Sequence, residues 1–146
     1  MRNNHLYFLI ISFLVFGCKN DSQTENKIIS KTTSEAPFIW DAANVYFLLT
    51  DRFNNGDLSN DLNFKRTEKT GTLRGFEGGD LSGITQKINE GYFTKLGINA
   101  IWFTPVVEQI HASVDEGTGN TYAYHGYWAK DWTALDPNFG TYKDLE

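Results

Sequence analysis

Two short apolar runs constrain the fold of this chain most strongly. The runs Val45–Thr50 and Ile98–Phe103 are rich in β-branched and aromatic residues and are bounded by polar residues. Runs of this kind are typical of strands buried on both faces, as in a parallel sheet. Between them, apolar residues recur at spacings of three and four from Leu81 to Leu96, which predicts an amphipathic helix. The three elements predict a βαβ unit and an α/β fold.

Local signals indicate where the helices begin and end. Asp80 or Ser82 can cap the first turn of the helix between the strands, and Gly97 provides a stop. Gly91 lies inside the apolar pattern and costs about 1 kcal/mol relative to Ala, so we expect the helix to bend or end its regular part there. Near the end of the chain, Thr141-Tyr-Lys-Asp144 has the form of a capping box with Asp in place of Glu, which predicts the start of another helix.

The segment 106–140 shows no sustained hydrophobic period and is expected to be a long loop. Five aromatic residues lie between Tyr122 and Trp132. Loops of this length inside compact domains are usually functional, and this one follows the second predicted strand. The aromatic segment is therefore a candidate for a binding surface.

The first residues have the pattern of an export signal. Arg2 precedes the apolar run 6–16, which ends at Gly17-Cys18 and is too short to span a bilayer as a permanent helix. The end of this run resembles a bacterial lipobox, so we expect residues 1–17 to be a lipoprotein signal peptide and Cys18 to carry the lipid. An ordinary secretory signal with an incidental Cys is the alternative. The polar segment 18–37 is expected to be a flexible tether.

Composition narrows the partners and the chemistry. The net charge is −5 and the basic residues form no stripe, which argues against a nucleic-acid partner. The single Cys excludes an intrachain disulfide and a cysteine-cluster zinc site. The chain also lacks the phosphate-binding loop, the dinucleotide fingerprint, the zinc-protease motif and the serine-hydrolase elbow. Because no basic stripe is available to bind an anionic membrane, we expect a lipid on Cys18 to be the only contact of the protein with the membrane. This expectation places the protein in the bacterial cell envelope, either in the periplasm or at the cell surface.

An oxygen-rich segment follows the first predicted strand. Residues 54–61 are hydrophilic or Gly except for Leu58, and Gly78-Gly79-Asp80 comes at the predicted helix start. Hard cations such as Ca²⁺ take six to eight oxygens from carboxylates, amides and main-chain carbonyls. Asn, Asp and Gly are also the ordinary residues of solvated turns. The residue types alone leave both interpretations open.

Five motifs, in order along residues 38–146, resemble the α-amylase family of glycoside hydrolases. They are Val45-Tyr-Phe-Leu-Leu-Thr-Asp-Arg-Phe53, Asn55-Gly-Asp57 with Asn60-Asp61, Gly78-Gly-Asp80, Gly97-Ile-Asn-Ala-Ile-Trp-Phe-Thr-Pro105 and Tyr124-His-Gly-Tyr-Trp128. The resemblance implies that residues 38–146 are the amino-terminal part, about two βα units, of a (β/α)₈ TIM barrel, which needs about 250 residues. It also implies an α-1,4-linked glucan such as starch, maltodextrin or cyclodextrin as the partner.

The resemblance also implies a set of site residues. The metal motifs look most like those of neopullulanases, cyclomaltodextrinases and cyclodextrin glucanotransferases, in which the matching positions hold a structural Ca²⁺. The implied ligands are Asn55, Asp57, Asn60, Asp61, Gly78 and Asp80. For the sugar, Tyr127 is implied as an aromatic platform and His125 as a hydroxyl partner, with Trp128 shaping the neighbouring wall. Core packing is the alternative role for these three side chains.

The implied mechanism uses carboxylates that this chain does not contain. Family members are retaining glycosidases, in which one carboxylate attacks the sugar and a second acid protonates the leaving oxygen. In the family these residues belong to later strands, so no catalytic residue is assigned here, and Asp51, Asp80 and Asp131 match structural or metal positions. We expect the chain as given to be an inactive fragment of a glycosidase. A glucan-binding surface lipoprotein with an inactive barrel is the alternative.

Overall fold

The computed structural model describes residues 37–146, of which Phe38–Glu146 form one compact unit. The predicted signal peptide, Cys18 and all of the predicted tether except Pro37 lie outside the described residues. The helices are α1 (Thr50–Phe53), α2 (Leu81–Asn89), α3 (Tyr92–Lys95) and α4 (Tyr142–Leu145), with single 3₁₀ turns at Trp40–Ala42 and Leu58–Asn60. The strands are β1 (Val45–Leu48), β2 (Ala100–Phe103), β3 (Val107–Gln109), β4 (Val114–Asp115), β5 (Asn120–Thr121) and β6 (Ala129–Leu135).

The predicted βαβ unit is present. β1 and β2 pair in parallel, with Phe47 opposite Trp102 in the register. The expectation that both faces of these strands are buried is wrong for this part of the chain, because Phe47 is 50% exposed and Trp102 is 64% exposed. The residues that alternate with them, such as Leu48, face the helices instead. The helices cover one face of this two-stranded sheet, and the other face remains apolar and open.

The predicted helix between the strands is two helices. α2 begins after Asp80, whose carboxylate accepts a hydrogen bond from the Gly83 amide, so Asp80 rather than Ser82 is the N-cap. The break falls at Gly91, which has a left-handed φ of 71° that costs Gly little and other residues more. α3 then ends at Lys95, and Gly97 just beyond it is also left-handed, with a φ of 72°. The helix break predicted at Gly91 and the stop predicted at Gly97 are therefore confirmed.

A single apolar cluster holds these elements together. Its buried members come from β1, from both helices of the crossover, and from the segments that flank β3 and β6: Leu48, Leu81, Ile84, Phe93, Val106 and Phe139. Aromatic rings extend the cluster around Phe93, where Phe53 stacks at a centroid distance of 5.6 Å. This cluster fixes the helices against the sheet, and the loops that follow each strand project from it.

The prediction that residues 106–140 lack regular structure is wrong. β3 pairs antiparallel with β6, and β4 pairs antiparallel with β5. The register of β3 with β6 shifts twice within three residues, and such irregularity leaves little alternating pattern in a sequence. The predicted capping box is present, since Thr141 and Asp144 bond reciprocally at the start of α4. Across residues 37–146, the helices are all too short or too polar to traverse a bilayer.

Candidate functional site

Side chains join the carboxyl ends of β1 and β2. Thr50 and Thr104, both fully buried, lie just past these ends, where the Thr50 amide donates to Thr104 Oγ1 at 3.1 Å and the two hydroxyls are 3.2 Å apart. The loops that follow, residues 54–80 and 105–128, therefore leave the sheet side by side. These loops contain every metal-binding and sugar-binding residue that the sequence predicts.

The carboxylate of Asp80 is the centre of the first loop. It is fully buried, and Oδ1 accepts hydrogen bonds from the amides of Gly56 at 3.0 Å and Gly83 at 2.6 Å. Oδ2 accepts from the Asp57 amide and from Asn60 Nδ2, each at 2.9 Å. A buried carboxylate is stable only when such donors surround it. Asp80 therefore caps α2 and folds residues 56–60 around the start of that helix.

A second group of predicted ligands lies together on the same loop. Asn55 Nδ2 donates to Asp61 Oδ1 at 2.7 Å. Gly78 has a φ of 91°, and a Cβ placed there would lie 2.2 Å from Asn55 Nδ2 and 2.6 Å from Asp61 Oδ1. Only Gly permits this close approach of the backbone. The structure thus brings Asn55, Asp61 and Gly78 into contact.

Two amide oxygens in this loop lack partners. Asn55 Oδ1 and Asn60 Oδ1 are buried and accept no hydrogen bond, which is costly for a buried oxygen unless a ligand completes it. Within residues 37–146, no group of three or more His, Cys, Asp or Glu side chains is arranged to hold a metal ion. A cation here would therefore depend on amide and main-chain oxygens as well as carboxylates, which is the mixture that Ca²⁺ accepts.

Asp57 differs from the other predicted ligands. Its Oδ1 accepts hydrogen bonds from the Ser59 hydroxyl at 2.6 Å and the Ser59 amide at 2.9 Å. These two bonds, the hydroxyl first, lower the pKa of the Asp57 carboxyl. Oδ1 of Asp57 thus caps the turn Leu58–Asn60, while its backbone amide joins the Asp80 group.

A clamp formed by Asp51, which the resemblance matches to a structural or metal position, and Arg52 holds the far end of this loop. The carboxylate of Asp51 is buried and accepts from the amides of Glu77 and Gly78. Arg52 pairs with Asp51 and donates to the carbonyls of Leu73 and Gly75 at 2.8 and 3.0 Å. Burial lowers the pKa of the Arg52 guanidinium. Asp51 thus has a structural role at the carboxyl end of β1.

The aromatic loop approaches the same end of the sheet through Gly126. This residue has a φ of 85°, and a Cβ placed there would lie 2.1 Å from the carbonyl oxygen of Pro105, just after β2. Because the loop touches the backbone at this point, the residues on either side of Gly126 are fixed relative to the strand ends. Those residues are His125 and Tyr127, two of the predicted sugar contacts.

The predicted sugar residues form one cluster. His125 Nδ1 accepts from the Tyr127 amide at 3.0 Å, so Nε2 carries the proton of the neutral ring. Burial lowers the pKa of His125, against an opposing effect of Glu116. Trp128 packs edge-on against His125 at 4.7 Å. The ring of Tyr127 lies at 17° to that of His125 and is 59% exposed. Core packing therefore accounts poorly for Tyr127 and only partly for His125.

A buried ion pair supports both loops and was missed from the sequence. Arg66 Nη1 and Nη2 donate to the two carboxylate oxygens of Asp136 at 2.8 and 2.6 Å, and both side chains are at most 2% exposed. Arg66 also contacts Asn138 Oδ1. The guanidinium packs between Phe64 and Phe76. No local sequence pattern signals this pair, because 70 residues separate its members.

Known proteins resemble this chain in sequence. Residues 47–146 match the family model described as alpha amylase, catalytic domain. The periplasmic alpha-amylase of Escherichia coli strain K12 is 48% identical over 120 residues, which cover 80% of this chain and 18% of that protein. A cyclomaltodextrin glucanotransferase of Thermoanaerobacterium thermosulfurigenes is 41% identical over 104 residues, covering 70% of this chain and 15% of that protein. The chain thus spans less than a fifth of either relative.

Solved structures resemble it in fold. The gamma cyclodextrin glucanotransferase of alkalophilic Bacillus clarkii superposes with a TM-score of 0.60 at 36% identity, covering 69% of this chain and 15% of that structure. An Anoxybacillus α-amylase superposes with a TM-score of 0.57 at 32% identity, covering 74% of this chain and 20% of that structure. The sequence and fold relationships therefore agree.

Proposed function

This chain belongs to the α-amylase family, whose catalytic domain is a TIM barrel, and we propose that it is the amino-terminal barrel portion of a retaining glycoside hydrolase acting on α-1,4-linked glucans. Support comes from relatives whose names are alpha-amylase and cyclomaltodextrin glucanotransferase, and from a related structure described in complex with maltotriose. The open apolar face of β1 and β2 fits the inner face of a barrel, where further strands would pack.

The aromatic cluster is the observation that carries this proposal. Tyr127 presents a ring that is 59% exposed at the carboxyl end of a barrel strand, which is where active sites of this fold are built. Its apolar face can cover the C–H face of a glucose ring. The Nε2–H of His125 can donate to a sugar hydroxyl, since Nδ1 is occupied by the Tyr127 amide. Trp128 holds His125 from the other side.

Substitution of Tyr127 tests this role. Tyr127→Ala in the intact protein should lower kcat/KM for maltoheptaose by about tenfold or more, because it removes about 1.5–3 kcal/mol of apolar contact. Tyr142→Ala is the matched control and should keep the wild-type kcat/KM, since Tyr142 is equally exposed at 60% but lies on α4, outside the aromatic loop. Equal activities of Tyr127→Ala and the wild type would refute the platform role. The chain ending at Glu146 should release no reducing sugar from starch, since it contains none of the family's catalytic carboxylates.

We further propose that the loop 55–61 with Gly78 and Asp80 binds a structural Ca²⁺. The unpartnered oxygens of Asn55 and Asn60 support this. If the side-chain amide of Asn55 or Asn60 rotates by half a turn, its oxygen replaces the nitrogen that now faces the carboxylate of Asp61 or Asp80. A cation between the two oxygens would then be bound by both. Asn55, Asp57, Asn60, Asp61 and Asp80 would supply side-chain oxygens, and Gly78 a main-chain oxygen. The ion would supply positive charge that stabilises the loop. Calorimetric titration with Ca²⁺ after chelator treatment tests this, and the absence of binding would refute it.

Export of the protein is also proposed. One relative is a periplasmic alpha-amylase, and the leader with Cys18 has the lipoprotein pattern. Lipid attachment at Cys18 should place the wild-type protein in the membrane fraction of cells, and Cys18→Ser should release it. A mature wild-type protein in the soluble fraction would support the ordinary secretory signal instead.

A glucan-binding lipoprotein with an inactive barrel is the second candidate. It would bind maltodextrin with an affinity that depends on Tyr127, but it would not release reducing sugar as the intact protein. The activity assay therefore separates the two candidates.

A further inference from the structure

Asn138 reaches the proposed calcium loop from a distant part of the chain. It lies after β6 and is 2% exposed. Its Nδ2 donates to the carbonyl oxygens of Asn60 at 3.1 Å and Asp61 at 2.7 Å, which are 78 and 77 residues away in sequence. These two hydrogen bonds join consecutive peptide groups of the loop to the β3–β6 side of the fold.

The orientation of Asn138 is fixed by its own partners. Its Oδ1 accepts from the Arg66 guanidinium, which carries only donors, so Nδ2 must face the loop. The backbone N–H of Asn138 donates to Asp136 Oδ1 at 3.0 Å. The Gln109 amide donates to Asp136 Oδ2 at 2.9 Å, which holds that carboxylate from β3. Arg66, Asp136 and Asn138 thus form one buried unit.

The two carbonyls belong to residues whose side chains would hold the ion. The side chain of Asn60 contacts Asp80, and that of Asp61 contacts Asn55. Hydrogen bonds at the carbonyls set the peptide planes, and the peptide planes set the direction of the side chains. Groups that orient ligands in this way commonly change metal affinity by about 10–100-fold when they are removed.

We propose that Asn138, held by Arg66 and Asp136, is a positioning residue for the Ca²⁺ loop and raises its affinity for the ion without touching it. This inference rests on the proposed calcium site. It gives the buried ion pair a purpose beyond stability, because the pair sets the direction in which Asn138 donates. It also makes the loop's affinity depend on a residue that lies outside the six predicted ligands.

The test compares Ca²⁺ affinity in variants of the intact protein. Asn138→Ala should weaken calorimetric Ca²⁺ binding at 20 °C by about tenfold or more. Thr121→Val is the matched control, since Thr121 is 3% exposed and its hydroxyl bonds Glu116 in a different part of the fold. The control should keep wild-type affinity even where it lowers Tm. In calcium-free protein, Asn138→Ala should also speed amide hydrogen exchange in the segment 57–63.

The outcomes distinguish failure of the positioning role of Asn138 from failure of the calcium site. Wild-type affinity in Asn138→Ala, or an equal loss in Thr121→Val, would overturn the positioning role while leaving the calcium site intact. Failure of the wild-type protein to bind Ca²⁺ would overturn the calcium site itself. If Asn138→Ala does not fold, Asn138→Asp carries the test with the same threshold. This variant keeps an oxygen toward Arg66 and replaces the donor, and its added negative charge works against the expected weakening.

Discussion

Substitution of Asp136 by Asn should destabilise the protein severely. The carboxylate accepts four hydrogen bonds, two from Arg66 at 2.8 and 2.6 Å, one from the Gln109 amide at 2.9 Å and one from the Asn138 amide at 3.0 Å. Each carboxylate oxygen faces two of these donors. Whichever oxygen the amide nitrogen replaces, two donors then face a third donor, and the buried guanidinium loses its counter-charge.

The expected loss follows from these contacts. Hydrogen bonds to charged groups contribute about 1.5–3 kcal/mol each, so losing two costs about 3–6 kcal/mol. Breaking a buried ion pair by removing one partner typically costs about 3–5 kcal/mol. The two estimates agree on a decrease of about 4 kcal/mol in the free energy of unfolding. The urea midpoint should fall by this free energy divided by the m-value, which scales with the surface exposed on unfolding.

Equilibrium urea unfolding of the intact protein measures this change. Glu90→Gln is the control, since it removes an ion pair of similar length, Lys87–Glu90 at 2.7 Å, whose side chains are 29% and 48% exposed. The control should lose no more than about 0.5 kcal/mol. Arg66→Met with Asp136→Leu should cost less than the sum of the two single changes, because neither buried charge is then left unpaired. A loss in Asp136→Asn no larger than in the control would refute this account of the ion pair.

Two further predictions concern the aromatic loop. Gly126→Ala should cost more stability and more glucan affinity than Gly97→Ala, because both sites have a positive φ but only Gly126 abuts the Pro105 carbonyl. Thermal unfolding and maltoheptaose binding measure this, and equal effects would contradict it. The pKa of His125, which burial lowers, should lie below the ordinary value of about 6.5 in an NMR titration. Because the unfolded state takes up this proton first, the His125 contribution is lost as pH falls below about 6.5. His125→Gln should flatten that decline, and an unchanged slope would contradict it.

Sequence reasoning succeeded where the signal was local. The cap at Asp80, the break at Gly91 and the box at Thr141–Asp144 each depend on residues within a few positions of one another. The parallel pairing of β1 with β2 followed from two apolar runs and the helical pattern between them. Caps and helix breaks are set by neighbouring residues, and the pairing follows from the order of the three elements because a strand–helix–strand unit forms a parallel pair.

Sequence reasoning failed where the interacting residues are far apart in the sequence. β3 has three residues and two shifts of register against β6, so neither strand alternates cleanly. Arg66 sits in a polar run that is typical of a solvated loop, and its burial becomes apparent only when Asp136 is brought beside it. The expectation of two buried faces for β1 failed for another reason. An apolar run predicts that a face can be buried, but the partner that covers it must lie in the same part of the structure.

The candidate site also depends on contacts between residues that are far apart in the sequence. The apolar cluster around Phe93 lies between the helices and the sheet, and Phe76 and Val106 connect it to the two loops without being predicted ligands themselves. Those loops take their shape from buried charged side chains, Asp51, Asp80 and Arg66, each of which bonds backbone or side-chain groups more than 20 residues away. Asn60 shows the consequence, since Asp80 accepts from its side chain while Asn138 donates to its carbonyl. Asn63 Nδ2 also donates to that carbonyl, at 2.7 Å. The position of Asn60 therefore depends on three polar side chains, and changes at Asp80 and Asn138 should not be additive.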